Sequence, residues 1–112
     1  MELHYHFEGV SFDFDEAAHT TWLRKCLTRL GADNPDLTYI FCSDDYLLEI
    51  NKESLNHDYY TDIITFDNRL KDTDPLFADF FISVDRVKDN AATEKQQFET
   101  ELKRVMIHGV LH

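Results

Sequence analysis

Apolar and polar side chains alternate over Leu3-His4-Tyr5-His6-Phe7, a period of two that predicts a first strand with His4 and His6 sharing a face. Over residues 16–30 the period lengthens to that of a helix. Trp22, Leu23, Cys26, Leu27 and Leu30 form its apolar stripe, and Asp15 stands where an N-cap is needed. Arg24, Lys25 and Arg29 fall late, and Gly31 provides the stop. Residues 37–42, rich in β-formers, read as a second strand buried on both faces. Ser43 then caps a helix over residues 44–55 that turns Tyr46, Leu47, Leu48 and Ile50 inward. A third strand is expected at 61–66, a charged and mobile loop at 68–75, and a fourth strand at 78–84. Ser83 or Asp85 caps a short helix carrying Arg86, Val87 and Ala91, and Thr93 with Glu94 opens a terminal helix.

That order predicts an α/β fold: a single domain over residues 1–112, with helices packed on a mixed four-stranded sheet. Strands three and four, joined by a loop without a helix, are expected to pair antiparallel, and the helix-linked strands parallel.

The composition fits a compact domain with its own core: 43% hydrophobic residues in 112, with only three Gly and two Pro. No apolar run reaches the roughly 20 residues of a membrane span, and Met1-Glu2-Leu3-His4 lacks the basic and apolar regions of a signal peptide, so no membrane partner and a cytoplasmic address are expected. Cys26 and Cys42 have no metal or disulfide spacing and read as small buried thiols. A net charge of −11 argues against indiscriminate coating of nucleic acid, which runs on Lys and Arg releasing counterions from phosphates. An anionic substrate would instead meet a metal or a local cluster drawn from Arg86, Lys88, Lys95, Lys103 and Arg104. Each of these taken singly reads as part of a solvated helix face.

The chain ends on His108-Gly109-Val110-Leu111-His112. Positions four apart lie one above the other on a helix, so both imidazoles can reach one point, along the edge of a face made by Phe98, Leu102, Val105, Met106 and Gly109. A catalytic zinc takes three protein ligands and leaves a fourth position to water, and two of the three are here. Spacing alone also fits two half-buried imidazoles that hold nothing. A zincin protease is disfavoured, because its general-base glutamate would stand at Gly109.

Several stretches together resemble the YbeY family, the metal-dependent endoribonucleases of ribosomal RNA maturation. They are Glu49-Ile50-Asn51, Asp58 with Thr61-Asp62-Ile63-Ile64-Thr65-Phe66, Ala78-Asp79-Phe80-Phe81-Ile82-Ser83, and the terminal motif. That motif is similar to the start of H-G-x-L-H-x-x-G-x-D-H, whose three histidines bind a metal usually taken to be zinc. The resemblance implies a single-strand-specific endoribonuclease in which His108 and His112 ligate Zn2+ and a metal-activated water attacks the phosphodiester. It implies ribosomal RNA as substrate, with ribosomal proteins or assembly factors as further partners. The third histidine is expected beyond residue 112, so weak metal binding and poor cleavage are expected of these residues alone. Leu55 stands where the family commonly has an arginine suited to gripping phosphate, and the general acid and the substrate-binding residues are left open. The alternatives are a non-catalytic ribosome-associated binding module and a metal-dependent hydrolase of another substrate.

Overall fold

A computed structural model describes residues 1–111. Its elements are β1 (Glu2–Phe7), α1 (Glu16–Arg29), β2 (Asp36–Cys42), α2 (Asp44–Leu55), β3 (Ile63–Asp67), β4 (Phe77–Ser83), α3 (Val84–Thr93) and α4 (Phe98–Val110). They form one mixed sheet of order β1-β2-β4-β3, in which β1, β2 and β4 run parallel and β3 pairs antiparallel with β4. Both expected pairings hold, with Phe7 opposite Phe41, Cys42 opposite Ser83 and Ile63 opposite Ile82.

The caps show why the helices begin where they do. Asp15 accepts from the Ala18 N–H at 3.0 Å, Ser43 from Tyr46 at 3.1 Å and Ser83 from Arg86 at 3.1 Å, each occupying a donor that the first helical turn leaves without an intrahelical partner. The opening of the last helix is a correction. Thr93 ends α3, and α4 starts only at Phe98 behind a Gln97 whose side chain makes no cap bond. Between them Lys95 turns left-handed (φ 55), while Gln96 N–H reaches the Ala91 carbonyl and Lys95 N–H that of Ala92. This double closure ends a helix decisively, and a lysine supplies the conformation usually left to glycine.

Alternation along the strands divides the side chains between two faces. Leu37, Tyr39 and Phe41 of β2 and Ala78, Phe80 and Ile82 of β4 join Leu23 and Leu27 of α1, Val84 and Val87 of α3, and Leu102, Val105 and Met106 of α4 in the main core. The other face has a smaller cluster of Cys42, Leu47 and Ile64, with Ile50, Phe66 and Phe81 against it. Thus α1, α3 and α4 share one face, and α2 alone covers the other. Two stripe assignments shift: Leu30 is 50% exposed just past the end of α1, and Tyr46 is exposed while Asn51 takes the inward position on α2. Cys42 is buried as expected, but Cys26 is only partly so.

Candidate functional site at the C-terminal end of α4

Helix α4 is fixed from three directions. Beneath it, the buried Tyr39 hydroxyl donates to the Met106 carbonyl at 2.9 Å, and Gly109 lies so close to the sheet that a Cβ there would stand 2.7 Å from Ile63 Cδ1 and 2.9 Å from Phe80 Cδ1. Burial drives the Tyr39 phenol far above its ordinary pKa, so it stays a donor at neutral pH. Towards α1, His19 Nε2 stands 3.0 Å from Glu99 Oε2, and the Lys103 ammonium sits 5.5 Å from the Trp22 ring centroid. Towards β3, Arg104 bonds both oxygens of Glu101 (2.9 and 2.7 Å) and lies 3.6 Å from Asp62. The Glu101 side chain is only 2% exposed; Arg104 chiefly, with Asn90 adding, holds its carboxyl below the usual range.

His108 is exposed on the last turn of α4, four residues after Arg104 and therefore on the same side of the helix. The buried face is Leu102, Val105, Met106 and Gly109 with Phe98 partly covered, as the spacing predicts, and Glu101 joins it unforeseen. His112 lies outside the described residues. Among the described residues no three His, Cys, Asp or Glu are gathered so as to hold a metal ion. The donor chemistry of His108 nonetheless suits one: an exposed imidazole at a helix C-terminus sits where the aligned peptide dipoles favour a cation.

Two concavities flank α4, the first beside its N-terminal half and the second at its C-terminal end. One, about 420 Å³, is polar and lined by Asn90, Glu94, Gln96, Glu101 and Arg104. The other, about 530 Å³, runs between Leu30 and Ala32 on one side and Val110 and Leu111 on the other. His108 lines neither.

The cations picked out in the sequence have unequal freedom. Arg86 is committed to Asp44 (2.8 Å) and Asp89 (3.0 Å), and its guanidinium lies over the Tyr60 ring. Ser83 also donates to Asp44 at 2.6 Å, so this network joins the starts of α2 and α3. Arg104 is committed to Glu101, whereas Lys88 and Lys95 are simply exposed. Asp62 belongs both to the loop, where its carbonyl accepts from Ser83 N–H at 2.9 Å, and to the Arg104 side of α4. Leu55 closes α2 half-exposed, and Asn51 donates to the Tyr59 carbonyl at 2.9 Å, tying down the connection to β3. His4 and His6, expected to share a strand face, are exposed beside Glu2, Asp36 and Glu8.

The family model described as Endoribonuclease YbeY matches residues 5–112. The chain belongs to the endoribonuclease YbeY family. Among curated members, it is 45% identical over 109 residues to Endoribonuclease YbeY of Phocaeicola vulgatus, covering 96% of this chain and 78% of that one. It is 47% identical over 110 residues to that of Flavobacterium psychrophilum, covering 92% and 77%. Its fold is also that of the solution structure of TM1509 from Thermotoga maritima, with a TM-score of 0.65, 24% identity, and coverage of 98% of this chain and 70% of that one. No helix among the described residues is long and apolar enough to cross a membrane. Sequence reasoning missed the buried Glu101; its signal was Arg104 three residues on, within reach on one helix face.

Proposed function

We propose that this chain acts as a zinc-dependent, single-strand-specific endoribonuclease in the maturation of ribosomal RNA in the cytoplasm, with His108 and His112 as two of the metal ligands. Family membership gives the reaction class, and the exposure of His108 on a firmly held helix end is the observation that carries the site. A divalent ion there would act as a Lewis acid, lowering the pKa of water and polarising a phosphoryl oxygen. The protein's part is to hold the ligands still. Tyr39, the close approach at Gly109 and the Arg104–Asp62 ion pair hold α4 against the sheet and the entrance to β3, so the backbone that carries the imidazole is held in place.

The test compares the unaltered protein with His108→Ala for metal content by elemental analysis and for cleavage of single-stranded and duplex RNA. Loss of metal and of single-strand cleavage together supports the reading. Equal metal content in both would remove the site.

A further inference from the structure

Of the five arginines, Arg69, Arg86 and Arg104 are bound to carboxylates, whereas Arg24 and Arg29 make no ion pair among the described residues. Both are on α1 with Lys25. All three side chains are exposed, and with Thr28 they line one concavity of about 330 Å³. The surrounding sequence is unusual for this chain: residues 17–32 contain no Asp or Glu, although 22 of the 112 residues are acidic. Helix C-termini attract cations, but that effect is confined to the last turn, where only Arg29 lies. Arg24 and Lys25 need another reason.

Helices α1 and α4 lie side by side and point the same way, because His19 meets Glu99, Trp22 meets Lys103, and Leu30 lines one concavity with Val110. The α1 cations therefore lie one helix away from α4, on the same face of the sheet as the helix carrying His108, with Lys103 on the seam between them.

We infer that the exposed face of α1, through Arg24, Lys25 and Arg29, is a docking surface for the phosphate backbone of an RNA strand whose scissile portion reaches the end of α4. The second half of that statement rests on the function proposed above; the first does not. An unpaired, acid-free cationic face is what a polyanion requires of a protein whose average field repels it, and guanidinium groups suit phosphate oxygens. The surface holds RNA without reading its sequence.

The experiment measures binding of a non-cleavable single-stranded RNA of about 20 nucleotides, longer than the roughly 4–16 that single-strand grooves commonly take. Salt is varied for the unaltered protein, for Arg24→Gln/Lys25→Gln/Arg29→Gln, and for Lys52→Gln/Lys71→Gln/Lys88→Gln, which has the same net charge. Glutamine keeps helix propensity, and circular dichroism checks the fold. With about 0.7 counterions released per single-strand phosphate contact, the α1 variant should show a log–log salt slope shallower by about 2, and a fourfold rise in salt should cost the unaltered protein about 15-fold more affinity than it costs that variant. Bound RNA should also protect Lys25, more than Lys88, from acetylation in the unaltered protein. Equal slopes in the two variants, unprotected Lys25, or no RNA binding at all would each overturn the docking surface. Cleavage unaffected by His108→Ala would instead sink the site on α4 and leave this comparison to stand or fall alone.

Discussion

Gly109 lies directly against Phe80, and a methyl group on it would come within 2.9 Å of the ring. The Ile63 methyl, still nearer at 2.7 Å, is the end of a flexible side chain and can swing aside. Phe80 is wholly buried and stacked on Tyr39 at 4.9 Å, so it cannot. Ala is favoured over Gly in a helix by about 1 kcal/mol, but overpacking a core costs about 1–3 kcal/mol. Gly109→Ala should therefore lower the melting temperature; a higher one would show that Phe80 has room to yield.

Tyr39 makes stability sensitive to alkali. Its phenol is pushed up by burial, so as the pH rises past the ordinary tyrosine value of 10.0 the unfolded chain loses a proton that the folded chain keeps. The stabilisation is complete below that pH and lost above it. Urea melts across pH 9 to 11 (about one unit either side) should show stability falling with pH, less steeply in Tyr39→Phe. At neutral pH that variant should lose about 1 kcal/mol for its missing hydrogen bond.

The acid side belongs to Glu101. Because its carboxyl is held down by Arg104, its contribution is present above the ordinary glutamate range near 4.5 and fades as the pH drops through the lowered folded value. Arg104→Ala leaves a buried carboxylate with Asn90 as partner and should cost on the order of 2 kcal/mol at pH 7, discounted because the arginine is half in water. Adding Glu101→Gln should recover part of it. No recovery would mean that Arg104 matters through its packing and not through its charge.

The two thiols should behave differently. Burial, helped by Asp85 and Asp44, pushes Cys42 up to about 12, so below that pH it is a neutral thiol out of solvent's reach. Cys26 is partly exposed. Iodoacetamide at pH 8 should label Cys26 in the native protein, and Cys42 only after denaturant is added. Equal labelling would mean that the β2 end opens readily.

Most of the fold was readable because local signals agreed with the final packing. Asp15, Ser43 and Ser83 cap where their residue types predict, and the period-two strands fall within a residue or two of expectation. The failures share a cause, which is that a linear pattern does not show what lies opposite. Leu30 completes the apolar stripe of α1 but has passed the helix end, and Tyr46 has the right period yet no neighbour to cover it. Lys95 carried no turn signal, since a lysine has no preference for the left-handed conformation that closes α3. At the site, the buried face of Leu102, Val105, Met106 and Gly109 was legible from its spacing; the burial of Glu101 was not, because an acidic residue inside is explained only by its Arg104 partner.

With three helices against one side of the sheet and only α2 against the other, the molecule is unevenly insulated. Lifting α2 uncovers Cys42, Ile64, Phe66 and Phe81, whereas lifting α4 strips Leu102, Val105 and Met106 out of the main core. Slow fluctuations will therefore peel the thin side first, exchanging the amides of α2 with solvent while the shelf that presents His108 stays shut.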